Sequence, residues 1–246
     1  MVTNPQSGTN VHEIASGIYR INTPIQIPGG PGFNFNQYLL VDDEALLFHT
    51  GPRRLFPFVR EAIAKVMPLE RLAYIGLSHF EADECGAMNE LLAVAPRAVP
   101  LCSRVAAMVS VNDVSDRPAR AMADGETLAL GRHTLRWIDT PHMPHGWECG
   151  LMMETSTGTL LCGDLFTHVG DEGPVTEQEI VDAAMAAEDM FGATSLSPQT
   201  GATLRRLAEL EPTMLALMHG ASYRGDGAAA LRSLADRYEA RLAVPA

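Results

Sequence analysis

The sequence of 246 residues predicts an α/β fold in which two mixed β-sheets pack together and are covered by helices. Three observations support this class. Short apolar segments typical of strands lie between turn residues, and other segments carry apolar residues at helical spacing. The segments follow in the order strands, strand–helix alternation, strands, and strand–helix alternation again. No linker separates them, so we expect one domain over residues 1–246.

The first half of the chain contains the first strands and two helices. Residues 1–10 are polar, and we expect them to be loose. Strands are predicted where apolar runs lie between turn-rich segments, at residues 17–23, 36–41, 45–49 and 72–77. Helices are predicted where apolar residues recur at spacings of three and four, at residues 55–66 and about 83–94.

The second half begins with a run of strands and ends with helices. Thr157 and Gly158 form a predicted hairpin turn between two of the strands. The predicted strands cover residues 126–130, 133–139, 150–154, 159–162 and 214–218. The predicted helices cover residues 177–190, 202–210 and 228–242.

Composition excludes several classes of function. The net charge of −12 argues against a broad nucleic-acid surface, which needs clustered Lys and Arg. The apolar runs are too short to span a bilayer, and no secretory signal is visible at the N-terminus, so we expect a cytoplasmic protein without membrane association. None of the four cysteines forms a C-x-x-C pair, and we expect them to be reduced and buried.

Residues able to perform chemistry cluster in loops that follow predicted strands. In layered α/β folds such loops carry binding and catalytic groups. Each of four loops here offers histidine or carboxylate. They contribute His79, Glu81 and Asp83; His142 and His145; Asp164; and His219.

The first loop has the pattern His79-x-Glu81-x-Asp83. Alternate residues of an extended segment point the same way, so these three side chains could converge. Alternatively, the loop is an ordinary solvated segment in which Asp83 caps a helix. The presence of His142, Asp164 and His219 after further strands favours a metal site over that alternative.

The ligand set contains three imidazoles and three carboxylates and no thiolate. Two histidines and one carboxylate around an open-sided metal are typical of non-haem iron. His79, Glu81 and His142 would supply this set at one metal. Asp83 and His219 would hold a second metal, and Asp164 would bridge the two. Imidazoles and carboxylates also bind Zn²⁺ and Mn²⁺, which remain alternatives.

These four loops resemble, in order, the ligand loops of the metallo-β-lactamase superfamily, which implies an αββα sandwich. Glu81 stands where most members have a second histidine. In this respect the sequence is similar to the flavodiiron proteins and the stand-alone oxygen-binding diiron proteins. The resemblance implies two iron ions with a bridging oxo, hydroxo or water ligand, and binding, sensing or reduction of O₂ or NO.

Two departures from that family matter. Glu84 stands where flavodiiron proteins have a histidine, and it could be an oxygen ligand, an acceptor that orients a histidine, or a first-turn acid of a helix. No flavodoxin segment follows within the 246 residues, so we expect reduction to need an external electron donor. A homodimer is also left open.

Several other residues could act in the site. We choose His142 over the nearby His145 as the ligand because its His-x-Pro context resembles the family's loop. His145, His168 and Tyr223 then become candidate catalytic residues beside Asp164, because they could hydrogen-bond or protonate a bound ligand. The alternative function is a dinuclear hydrolase that cleaves an ester, thioester or phosphoester with a bridging hydroxide.

Overall fold

The computed structural model describes residues 1–170 and 173–243. The first eight strands in this part of the chain form one mixed sheet, in which each strand pairs with the next along the chain. From the fifth strand to the eighth, neighbouring strands pair in parallel. The eight strands are β1 (Val2–Asn4), β2 (Thr9–Ala15), β3 (Ile18–Gln26), β4 (Gly32–Leu40), β5 (Ala45–Phe48), β6 (Leu72–Gly76), β7 (Val99–Ser103) and β8 (Arg120–Met122).

The remaining seven strands of the described residues form a second mixed sheet. They are β9 (Thr127–Ala129), β10 (Thr134–Asp139), β11 (Gly150–Glu154), β12 (Thr159–Leu161), β13 (Val175–Thr176), β14 (Met214–Ala216) and β15 (Ser222–Arg224). Their order across the sheet is β13–β15–β14–β12–β11–β10–β9. β12 and β14 pair in parallel, so the loops that follow them leave the same edge of the sheet.

The helices are α1 (Phe56–Val66), α2 (Ala82–Cys85), α3 (Met88–Val94), α4 (Arg104–Ala106), α5 (Asn112–Val114), α6 (Val181–Phe191), α7 (Thr200–Ala208) and α8 (Gly227–Leu242). Short 3₁₀ turns precede α1 and β6, and a π-helical segment joins α4 to α5. None of the helices in the described part of the chain is both long and apolar enough to cross a bilayer.

Three clusters of buried apolar residues lie between the layers of the fold. One cluster packs the first sheet against α1 and α3, and a second packs the other sheet against α6, α7 and α8. The third lies between the sheets and contains Phe48, Trp137 and Met152. Successive side chains of β5 point to opposite faces of the sheet. Leu47 therefore joins the cluster under the helices, and Phe48 joins the cluster between the sheets. The predicted fold of two mixed sheets with helices is therefore confirmed.

Two local predictions differ from the structure. Residues 1–10 are not loose, since Val2 pairs with Asn10 and the buried Thr3 hydroxyl donates to the Thr9 carbonyl at 3.1 Å. The helix predicted at about 83–94 is divided into α2 and α3. The division arises because the amide of Ala87 donates to groups of the β5–α1 connection instead of continuing α2.

Candidate metal centre

The structure brings together six side chains from the four predicted loops. Three of them extend from the loops after β6 and β12, and the other three come from α2, the β10–β11 loop and the β14–β15 loop. Both sheets contribute. The loop after β6 belongs to the first sheet, and the loops after β10, β12 and β14 belong to the second. The six side chains are those of His79, Glu81, Asp83, His145, Asp164 and His219.

The first donor set consists of His79, Glu81, His145 and Asp164, whose candidate ligand atoms all lie within 4.8 Å of one another. Oε2 of Glu81 lies 3.0 Å from Nε2 of His79 and 2.9 Å from Nε2 of His145. The two imidazole rings meet edge to face, with centroids 4.5 Å apart. Four donors from three loops therefore face one small volume.

The second donor set consists of Asp83, His219 and Asp164. Nε2 of His219 lies 3.3 Å from Oδ2 of Asp83 and 3.3 Å from Oδ1 of Asp164. The other oxygen of Asp164, Oδ2, lies 3.4 Å from His145 and 3.6 Å from His79. One carboxylate thus faces both donor sets, one oxygen to each.

His142 does not join the cluster, contrary to the prediction. Its side chain is exposed, and its backbone amide donates to the Gly146 carbonyl at 2.8 Å. The turn buries Met143 in the second apolar cluster, so the preceding His142 faces solvent while His145 reaches the carboxylates. His145 therefore occupies the position predicted for His142.

His168 and Tyr223 were predicted near a bound ligand, and the structure places both outside the cluster. Nδ1 of His168 donates to the Phe166 carbonyl, and its Nε2 accepts the amide of Ala221, each at 3.0 Å. Tyr223 lies in β15 and packs against the second apolar cluster. Neither His168 nor Tyr223 is among the described residues that line the cavity beside the cluster.

The cavity beside the cluster has a volume of about 190 Å³. One part of its wall is formed by the candidate ligands. The remainder is largely apolar and includes Phe33, Phe166, Ala184, Ala187 and Phe191. A small apolar molecule could therefore approach the donor sets along a largely apolar wall.

Contacts on the side of the ring away from the carboxylates fix the orientation of His219. It stacks on Phe33 with centroids 4.4 Å apart, and its Nδ1 donates to the Asn34 carbonyl at 2.7 Å. A hydrogen bond at Nδ1 sets the tautomer and leaves Nε2 toward the carboxylates, which is the arrangement of a metal-ligating histidine.

Electrostatics show how the imidazoles and carboxylates compensate one another. Burial disfavours a charge on His219, but Asp164 and Asp83 outweigh it and raise the pKa of His219 to about 10. Burial likewise opposes ionisation of Asp164, but the close contact with His219 and the charge of that ring lower the pKa of Asp164 to about 2. The hydrogen bond to Glu81 raises the pKa of His145. The directions of these pKa shifts indicate that the site favours positive charge between the carboxylates, which a metal cation would also supply.

The residues present fit a pair of metal ions. Among the described residues, Oδ1 of Asp164 and Nδ1 of His145 are buried polar atoms that form no hydrogen bond. Buried unsatisfied atoms are uncommon and call for an explanation such as an ion. The donors are imidazole and carboxylate without thiolate, which suits iron, manganese or zinc.

The fold and the arrangement of these donors define a metallo-β-lactamase-type protein. The family model described as "ODP family beta lactamase" matches residues 33–220, which is more than half of the chain. The chain belongs to this family.

Similar proteins agree with this assignment. The chain is 27% identical to a nitric oxide reductase of Moorella thermoacetica over 87% of its own length and 57% of that protein. It is 25% identical to a rubredoxin-oxygen oxidoreductase of Megalodesulfovibrio gigas over 79% of its length and 50% of that protein. The chain therefore spans about half the length of these curated relatives.

Solved structures show the same fold. A fragment of the putative diflavin flavoprotein A 5 from Nostoc sp. PCC 7120 superposes with a TM-score of 0.83 at 19% identity, covering 95% of this chain and 98% of that one. The rubredoxin oxygen:oxidoreductase of Desulfovibrio gigas gives a TM-score of 0.81 at 21% identity, covering 94% of this chain and 62% of that one.

Proposed function

We propose that this protein holds two iron ions and binds O₂ or NO at them. The observation that carries the proposal is the carboxylate of Asp164, whose two oxygens face two separate donor sets. The names of the relatives, a nitric oxide reductase and a rubredoxin-oxygen oxidoreductase, support the same small ligands. The apolar cavity beside the donors suits an uncharged diatomic molecule.

The six residues divide naturally between the two ions. His79, Glu81 and His145 would hold one ion, Asp83 and His219 would hold the other, and Asp164 would contact both. When bound, the iron pair supplies redox-active positions at which a diatomic ligand can be held. Iron is favoured over zinc because half of the donors are carboxylates and none is a thiolate, although Zn²⁺ and Mn²⁺ accept the same donor types.

The residues around the donors have separate tasks. The carbonyl of Asn34 and the ring of Phe33 hold His219 in place, so little reorganisation is needed on metal binding. Phe166 and Phe191 line the approach to the donors and give it an apolar wall. His145, being only partly buried, is the imidazole through which a proton could pass between the cluster and solvent.

We further propose that repeated reduction of O₂ or NO draws electrons from an external protein donor. The rubredoxin named in one relative is a donor of this kind. A cytoplasmic location and a single domain over residues 1–246 complete the proposal.

The test begins with protein produced in iron-replete medium. We expect about two iron ions per chain, and an absorbance change when the anaerobically reduced protein meets O₂ or NO. Asp164→Asn serves as the matched control and should give neither. Full iron loading without any absorbance change would contradict the proposal. Turnover of esters or phosphodiesters by the zinc-loaded protein would favour the hydrolase instead.

A further inference from the structure

Glu84 lies next to Asp83 in α2, but its carboxylate is turned away from the cavity. The side chain is fully buried. Both of its oxygens accept the Ser78 hydroxyl, at 2.7 and 2.9 Å, and Oε2 also accepts the backbone amide of His79 at 2.9 Å. Oε1 lies 3.2 Å from Nδ1 of His79. Glu84 therefore faces the side of the His79 ring that is opposite the donor set.

The orientation of the His79 ring follows from these contacts. Its Nδ1 lies 3.1 Å from the Ser78 hydroxyl and 3.2 Å from Glu84, whereas its Nε2 lies 3.0 Å from Glu81. A proton on Nδ1 thus has acceptors within reach, and Nε2 is directed toward the other candidate ligands. A carboxylate behind a histidine in this way fixes its tautomer and increases its basicity toward a metal.

A second histidine lies behind Glu84. Nε2 of the buried His49 is 3.4 Å from Oε1 of Glu84. His49 has a φ of 67°, a left-handed conformation that a residue with a side chain adopts only when its surroundings require it. The next residue, Thr50, donates its amide and hydroxyl to the Glu84 carbonyl oxygen, at 2.6 and 3.1 Å. The end of β5 therefore holds Glu84 through both backbone and side chain.

We propose that Glu84 is a positioning residue that orients His79 for metal binding through Nε2, and that His49 supports Glu84 from behind. This inference rests on the proposed metal binding at His79. It differs from a role as an oxygen ligand, because the contacts of the Glu84 oxygens are to Ser78, His79 and His49 rather than to the other donors. The proposed role also differs from that of a simple first-turn helix acid, whose side chain would remain near the surface.

The structure offers a matched control. Glu154 is a second fully buried carboxylate beside a buried histidine, with Oε1 at 3.2 Å from Nδ1 of His133. It accepts hydrogen bonds from Ser156 and Thr157 and contacts none of the six candidate ligands in the described part of the chain. Glu154→Gln therefore changes a buried carboxyl group beside a histidine without touching the site.

The experiment measures Zn²⁺ affinity of the wild type, Glu84→Gln and Glu154→Gln by competition with a chelator. Glu84→Gln should weaken Zn²⁺ binding by about 10-fold, the usual effect of removing such a partner, while Glu154→Gln should leave it unchanged. Equal affinity in Glu84→Gln and the wild type would overturn the inference. Failure of the wild type to bind Zn²⁺ would instead contradict the proposed metal site.

A second measurement reads the tautomer of His79 in the wild-type protein. Nitrogen NMR of ¹⁵N-histidine-labelled, Zn²⁺-loaded wild type should show His79 protonated at Nδ1 and metal-bound at Nε2. The His79 signal is assigned from its loss in His79→Gln. Metal bound at Nδ1 would overturn the inference. His49→Asn, which suits the left-handed backbone, should shift the Nδ1 resonance, and an unchanged resonance would remove His49 from the proposal.

Discussion

Oδ1 of Asp164 lies 3.3 Å from Nε2 of His219, while Oδ2 of the same carboxylate faces His79 and His145. Asp164 lies in the loop after β12, the middle strand of the second sheet. Its two oxygens therefore join donors that are distant in sequence, and no other described side chain contacts imidazoles of both sets. Removal of this carboxylate should affect both sets together.

Asp164→Asn should lose most of the bound metal at both sites, because the amide keeps the shape but lacks the charge and one acceptor oxygen. We expect metal affinity to fall by more than the roughly 10- to 100-fold that loss of an outer partner of a ligand costs, because Asp164 is itself a proposed ligand. Metal content after gel filtration, measured by elemental analysis, checks this. Asp226→Asn is the control, since it alters an exposed helix cap that asparagine can also form. Retention of two ions by Asp164→Asn would show that the bridge is misplaced.

The two histidines of the β10–β11 loop should behave differently. His145→Ala removes a side chain 2.9 Å from Glu81 and should reduce the bound metal, whereas His142→Ala removes an exposed side chain and should not. The pair controls for the loop itself, because both substitutions fall in the same turn. Elemental analysis of the two variants shows which histidine is the ligand. Loss of metal in His142→Ala but not in His145→Ala would support His142, the ligand predicted from the sequence.

Metal binding should strengthen as pH rises. The pKa of His219 is raised to about 10, so in the metal-free chain a metal must displace a proton from this ring. We expect Zn²⁺ to raise the melting temperature more at pH 8 than at pH 6. A metal-induced shift that is equal at the two pH values would contradict this competition between metal and proton.

The metal-free chain should show its own pH dependence. Because the folded pKa of His219 exceeds its ordinary value of 6.5, its contribution to stability is complete below 6.5 and is lost as pH rises toward about 10. Asp164, with its pKa lowered to about 2 from 3.8, contributes above 3.8 and loses its contribution below it. Urea unfolding in the presence of a chelator should therefore show that His219 and Asp164 contribute most to the free energy of unfolding between pH 3.8 and pH 6.5. The difference between wild type and His219→Gln should shrink outside that window.

Gly150 should not tolerate a side chain. A Cβ at this position would lie 2.1 Å from the Trp137 ring, and Trp137 is fully buried between the sheets. Gly150→Ala should lower the free energy of unfolding by about 1–3 kcal/mol, as overpacking commonly does. Gly173→Ala is the control, since its added Cβ would meet no atom within 4 Å. Equal urea midpoints for the two variants would contradict the expected overpacking.

The sequence predicted the two sheets because their strands are short apolar runs bounded by turn residues, a pattern that local physics dictates. It also predicted that four loops would converge, since each loop follows a strand. It did not predict that residues 1–10 form strands, because β1 is stabilised only by pairing with β2 and by packing near α1. Contacts between distant segments decided that outcome.

The choice between His142 and His145 shows the same limit at the site. Both lie in one short loop, and no local pattern distinguishes them. The burial of Met143 in the second apolar cluster decides which histidine turns inward. Glu84 is a comparable case: its three interpretations differ only in what surrounds the carboxylate, and its contacts to His79 and His49 became visible only in the fold.

Because the loop after β6 belongs to one sheet and the other loops belong to the second, bound cations would connect the two halves of the sandwich. Any fluctuation that separates the sheets would have to break metal–ligand bonds first. Amide hydrogen exchange in β6 and in β12 should therefore slow together when metal is added, although these strands share no hydrogen bonds.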